Sequence, residues 1–199
     1  MQGMLFSQME PPPELEAEFN DWYETEHIPV RLALSGFTAA VRYRERGTQR
    51  KYLAVYEIGD MRILDSAGYL ALKTRPSERT ALMLARVNGF TRFTCKLATD
   101  TGVTNSVAPY LYAAGYDVPQ ELDEKFSRWW ANEGASALMA RPGCVRVRRY
   151  AVVSADGGPW TSIVMQDLSL PDDALDAPAV VAHSRSAAHW LYEVISVHS

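Results

Sequence analysis

One histidine, His27, closes an aromatic and acidic stretch, Trp22-Tyr23-Glu24-Thr25-Glu26-His27, with Pro29 two residues further on. A histidine at a helix end titrates near neutral pH and serves as a general acid or base. Carbonyls left without helical donors before Pro29 would favour its cation. The same surroundings suit a plainer role, in which the ring caps the helix end by hydrogen bonding, and both readings stay open. Glu26 is next to His27 in the chain, yet adjacent helical residues do not face each other. Tyr23 puts a phenol one helical turn before His27. Tyr43, Tyr52 and Tyr56 stand on strand-like runs, where Tyr52 and Tyr56 share parity and face one side. Aromatic walls with a few polar tips make small-molecule pockets, and packing is the competing reading for each tyrosine.

Other chemistries have less to stand on. His183 and His189 are six residues apart, which is not a same-face metal pair, and His198 lies at the terminus. Cys95 and Cys144 form no CxxC. A haem needs an axial ligand in a pocket, so haem is only a secondary alternative to a protein without cofactor. GxGxxG, P-loop and GxSxG patterns are absent. A net charge of −4 argues against a nucleic-acid surface. Arg146-Val-Arg-Arg149 reads as the solvent face of a strand. No apolar run approaches membrane-spanning length and no secretory signal is visible, so the expectation is a cytoplasmic protein with reduced thiols and no membrane partner.

What positions these residues is a sequence that repeats. The segment 18–43 aligns with 125–150 at a shift of 107, so that Phe19 falls on Phe126, Trp22 on Trp129, Glu26 on Glu133, Gly36 on Gly143, Arg42 on Arg149 and Tyr43 on Tyr150. Ten identities fall in the 32 positions from 12 to 43, against roughly two or three for unrelated segments; such self-similarity reports a repeated structural unit. His27 meets Gly134, and Tyr23 meets Trp130. Residues kept in both copies belong to the fold; Glu26 and Arg42 are then candidates for a mutual ion pair. Residues present once are candidates for chemistry.

With 199 residues, 47% hydrophobic and 22% charged, the chain has the composition of a folded globular protein. Patterning predicts strands over 4–8, 38–46, 51–57 and 90–97, with a helix over 14–27 that Pro29 kinks or ends just beyond His27. Glycine at 47 marks a hairpin, and a two-part helical region covers 65–86, its first part capped by Asp65. The second unit repeats the order: strands over 110–114, 144–153, 160–168 and 191–197, and helices over 120–140 and 175–188. Each unit is β-α-β-β-α-β, the ferredoxin-like order, giving units 1–98 and 107–199 with a linker at about 99–106. The fold class is α+β. A sheet with helices on one side must cover its other face, and two fused units do so by packing their sheets into an intrachain, pseudo-dimeric α/β barrel. On the 38–46 strand, Val41 and Tyr43 belong to the inward set, and Arg42 and Arg44 to the outward one.

FNDWYETEHIPVRLALSGF, followed by a Tyr/Arg-rich strand and by YLAVYE, resembles the EthD-like branch of the dimeric α/β-barrel superfamily. The residues carrying the likeness are Trp22, Tyr23, Glu26, His27 and Pro29, over roughly 4–97; over 108–198 only the skeleton persists, with Gly134 and Ser136 departing from the pattern. The superfamily includes cofactor-independent quinone-forming monooxygenases, polyketide cyclases, muconolactone isomerases and haem-handling enzymes. The likeness therefore implies the fold more than the reaction. Two functions follow as expectations. One is a cofactor-independent monooxygenase, cyclase or isomerase acting on a small hydrophobic or aromatic molecule, with His27 and Tyr23 catalytic and Tyr43, Tyr52 and Tyr56 binding the ligand. The other is a non-catalytic small-molecule-binding or assembly protein of the same fold. A homodimer is compatible with either.

Overall fold

Eight antiparallel strands close into a barrel in the computed structural model, which describes residues 1–47, 52–104, 107–171 and 183–199. They are β1 (Gly3–Glu10), β2 (Phe37–Glu45), β3 (Tyr52–Ile58), β4 (Asn88–Gly102), β5 (Tyr110–Asp117), β6 (Cys144–Asp156), β7 (Ser162–Leu168) and β8 (Ser186–His198). Around the barrel the order is β1-β3-β2-β8-β5-β7-β6-β4. Each half contributes four neighbouring strands, β4-β1-β3-β2 and β8-β5-β7-β6, and the halves join at two matching seams, β2 with β8 and β4 with β6. Closure leaves no strand edge unpaired.

Strand alternation divides the apolar residues into three layers. Met4, Phe6, Val41, Tyr43, Leu53, Val55, Phe93, Leu111, Tyr150, Met165, Trp190 and Tyr192 fill the barrel interior. The outward faces pack under helices, in the first half around Phe19, Trp22, Tyr23, Tyr52 and Tyr56, and in the second around Tyr112, Tyr116, Phe126, Trp130 and Leu138. The inward setting of Val41 and Tyr43 and the outward one of Arg42 follow the parity read from the sequence. Gly3 stands on β1 where it pairs with β4, and a Cβ there would stand inside contact distance of the Cys95 carbonyl oxygen and the Met61 sulfur. Backbone cannot yield as a side chain does, so Gly3→Ala is expected to cost about 1–3 kcal/mol, read as a lower urea midpoint at unchanged slope.

The first helix departs from expectation. A 3-10 turn (Pro13–Leu15) leads into α1 (Glu16–Trp22), and a π turn over Tyr23–His27 leads into α2 (Pro29–Leu32). The chain therefore does not stop beyond His27. The Ile28 amide reaches back five residues to the Tyr23 carbonyl at 3.0 Å, and the wider turn delivers Pro29 to a first-turn position, where its missing N–H costs nothing. Proline is not the whole cause. A π turn recurs over Trp130–Gly134, between α5 (Asp123–Trp129) and α6 (Ala135–Met139), where Ser136 stands in place of Pro29.

Smaller differences lie at the element ends. Ser66, not Asp65, caps α3 (Ala67–Thr74), and Ser77 caps α4 (Glu78–Arg86); Asp60 caps the 3-10 turn Met61–Asp65 before them. β4 runs to Gly102 and pairs with β6 through Thr99 and Asp100, so the first residues of the expected linker are strand. Of the helix expected over 175–188, residues 186–188 are strand, pairing with β5, and 175–182 lie outside the described residues. Among the described residues no helix is long and apolar enough to cross a membrane.

Candidate functional site

The π turn carries His27 inward. Its side chain is buried, 5% exposed, with the ring 4.1 Å from that of Trp22 and 4.9 Å from that of Tyr23. Nδ1 has no hydrogen-bond partner. Burial holds the imidazole well below the ordinary histidine range, and the positive charges of Arg31, Arg42 and Arg92 push it the same way. His27 is thus a neutral base rather than the helix-end cation expected from sequence, because the helix does not end there. The α2 carbonyl problem is solved by Arg31, which donates to the His27 carbonyl at 2.8 Å.

A neutral buried histidine sets a pH dependence. Unfolding lets the ring protonate at its ordinary value of 6.5, so below that pH the unfolded state binds the extra proton and stability falls. The expected slope is about 1.4 kcal/mol per pH unit. His27→Gln removes this contribution, so its melting temperature, relative to the parent, rises as pH is taken from 7 to 5; parallel curves would refute the burial of a neutral ring.

His27 opens on a cavity of about 30 Å³ lined by Leu5, Ser7, Met9, Tyr23, Arg31, Tyr56, Tyr69, Leu84, Phe90 and Arg92. A water occupies roughly 10–15 Å³ on this scale, so the space holds one or two small molecules. Tyr69 and Arg92 also line a surface groove of about 470 Å³ formed with Met61, Leu64, Leu70, Thr94 and Val153. Arg92, its guanidinium 3.9 Å from Asp156 in a loose ion pair, thus borders both groove and cavity.

The tyrosines divide between places. Tyr23 and Tyr56 line the cavity. The Tyr23 hydroxyl donates to the Met9 sulfur at 3.5 Å, and burial pushes it up to about 12, against the pull of Arg42 and Arg31. Tyr56 is raised by burial too, and its hydroxyl has no partner. Neither phenol ionises near neutrality. Tyr52 shares a face with Tyr56 but donates to Glu16 at 2.5 Å and accepts from Asn20 at 3.2 Å, away from the cavity lining. Tyr43 lies across the sheet, in the barrel interior, its ring 6.2 Å from Tyr192.

Glu26 faces α4. It accepts from Thr80 at 2.9 Å and from Ser77, and Thr80 in turn accepts from the Trp22 indole at 3.0 Å. The expected Glu26–Arg42 pair is not formed. Arg42 instead donates to Glu24 and Asn20, each at 2.6 Å, beneath the Tyr23 ring. Arg31 could have been found from sequence, one turn beyond His27. Arg92 could not, since only the β1–β4 pairing, with Ser7 opposite Arg92, brings it near.

In the second half Gly134 holds the place of His27. A Cβ there would lie 2.8 Å from the Trp129 indole, so that ring fills the space an imidazole would need.

No family model matches the chain, and no curated protein does. Solved structures do. An anthrone oxidase-like protein superposes with a TM-score of 0.74 at 13% identity, over 100% of this chain and 92% of the other. A candidate monooxygenase from Lactobacillus acidophilus NCFM gives 0.66 at 9% identity, over 100% and 96%. Another from Fusobacterium nucleatum gives 0.66 at 10% identity, over 100% and 94%. At these identities the likeness shows the fold alone, an α+β barrel of the dimeric α/β-barrel type, here closed within one chain.

Proposed function

We propose that the chain is a cofactor-independent oxygenase of a small hydrophobic aromatic molecule whose ring carbon carries an acidic C–H, as in an anthrone. The observation behind this reading is the partnerless Nδ1 of a neutral, buried His27, which lines a cavity together with two guanidinium groups and three phenols. His27 takes the C–H proton on Nδ1, and the electron pair passes into the substrate as an enolate. A depressed histidine is a weak base, so the cost of that step falls on Arg31 and Arg92, whose charges stabilise the enolate oxygen. Dioxygen adds to the carbon, the adduct takes a proton, and loss of water leaves the ketone: anthrone and O₂ give quinone and water. Tyr23 and Tyr56 shape the site rather than move protons. The cavity suits dioxygen in volume, and the groove suits the substrate body, which enters by displacing Arg92.

The EthD-like assignment, the tandem duplication and the division into 1–98 and 107–199 belong to the same proposal. They are supported by the Trp-Tyr…Glu-His…Pro pattern and by the π turn that recurs 107 residues later. The test is oxygen uptake with 1,8-dihydroxyanthrone in metal-free buffer, with quinone followed by absorbance. A rate no higher than the protein-free control refutes the oxygenase. Consumption of the substrate under argon without quinone formation points to a cyclase or isomerase, in which the same proton transfer proceeds without O₂. A small molecule retained on the purified protein without turnover would support the alternative, a non-catalytic binding protein, which the small cavity favours.

A further inference from the structure

The second half lacks the histidine, yet its helix-covered layer is not simply apolar. Strand register matches its positions to those of the first. Leu5 faces Tyr56 across β1 and β3, as Tyr112 faces Gln166 across β5 and β7, so Gln166 holds the place of Tyr56. Ser7 faces Arg92, as Ala114 faces His189, so His189 holds the place of Arg92. The shift of 107 puts Tyr116 where Met9 stands and Leu138 where Arg31 stands. Gly134 and Leu138 thus replace His27 and Arg31, and an amide and two phenols stand where the first half has Tyr56, Met9 and Leu5.

Gln166 is wholly buried, and neither its amide oxygen nor its amide nitrogen has a hydrogen-bond partner. The Tyr116 hydroxyl, also buried, has none either. Across the neighbouring strands Gln166 faces Tyr112 and Val147, in a cluster with Val164 and Leu138, and none of them bonds its amide. Buried polar groups are almost always paired, and an amide left with both donor and acceptor empty is strongly disfavoured unless something else completes it. The exposed His189 ring stacks on Tyr112 at 5.6 Å and 22° between planes, at the solvent side of the layer.

We infer that the second half holds a binding site of its own, in which Gln166, with Tyr116 and Tyr112 beside it, receives a small planar neutral molecule presenting a hydrogen-bond donor and acceptor on neighbouring atoms, as a cyclic amide does. The primary amide of Gln166 is complementary to that pair, its N–H₂ donating to the ligand carbonyl and its oxygen accepting the ligand N–H. The aromatic side chains supply stacking faces. Two facing hydrogen bonds make the site selective against a molecule lacking either, since the unfilled partner stays buried and unpaired.

The test uses quinolin-2(1H)-one, a bicyclic lactam, titrated by calorimetry into the whole protein and into Gln166→Leu and His27→Gln. The expected result is binding to the parent and to His27→Gln alike, and binding weakened by about tenfold or more in Gln166→Leu. Gln166→Leu is also expected to melt no lower than the ligand-free parent, because it removes two unpaired atoms. Equal binding to all three proteins overturns the inference, as does no binding up to the solubility limit. Binding lost in His27→Gln but kept in Gln166→Leu assigns the ligand to the first half and overturns it too. A lower melting temperature for Gln166→Leu shows that the amide is already satisfied within the protein. The site stands or falls independently of oxygen uptake at His27.

Discussion

His27→Gln is expected to fold like its parent and to consume oxygen with 1,8-dihydroxyanthrone at least about a hundredfold more slowly, the lower end of what a positioned general base contributes. Glutamine keeps a polar side chain of similar length and cannot take the proton. Folding is spared because no hydrogen bond is made by Nδ1, and the ring's contacts with Trp22 and Tyr23 are replaced by those of the glutamine chain. At pH 8 the two proteins should melt within a few degrees of each other. Tyr23→Phe sharpens the result. Its hydroxyl meets only a thioether and is pushed up to about 12 by burial, so removing it should change the rate by less than about threefold on the reading that it shapes the site. If His27→Gln turns over like the parent, His27 is not the base. If Tyr23→Phe loses as much as His27→Gln, the phenol takes part in the proton transfer.

Arg148→Met should be the most destabilising single substitution considered, at about 3–5 kcal/mol and roughly 10 °C or more in melting temperature. Arg148 lies almost fully buried across one end of the barrel. One nitrogen donates to both Asp167 oxygens at 2.8 and 2.9 Å, and the other donates to Glu57 at 3.1 Å, which ties the two halves together. Burial opposes the guanidinium charge, but Asp167, with Tyr150, Tyr43 and Glu57, outweighs it and keeps the arginine charged. Methionine leaves the Asp167 carboxylate buried without its cation, while Glu57, more than a third exposed, regains water. Removing both buried charges is a different matter. The residue 107 positions earlier, Val41, fills the same inward place with an apolar side chain, so Arg148→Met/Asp167→Leu is expected to recover most of the loss. Urea denaturation of the four proteins measures the coupling; a double variant no better than Arg148→Met would mean that the network does more than neutralise a buried pair.

Much of the fold is legible in the residues because it rests on local periodicity. Phe19 and Trp22 recur at helical spacing and are fully buried, and the alternation around Tyr43 and Tyr52 sorts them to opposite faces of one sheet. The presence of Gly134 at the position aligned with His27 was readable as an asymmetry. Its protonation state was not. The sequence suggests a helix end, where a histidine gains charge, and the π turn instead drives the ring into a layer of apolar side chains under three arginines. Likewise the recurrence of Glu26 and Arg42 suggested a mutual ion pair, while the pitch of the helix sends Glu26 to Thr80.

The residues alone determined the order of the strands, the helices among the described residues except at 186–188, the two sides of each strand and the positions at which the halves differ. All of these follow from neighbours within a few residues and from the self-alignment. Only the closed barrel decided the rest: Arg92 beside His27, Arg148 between Glu57 and Asp167, and an amide stranded at Gln166. Each depends on strand register across distant segments. Register is fixed by which apolar faces can be buried together, and that choice belongs to the whole chain rather than to any stretch of it.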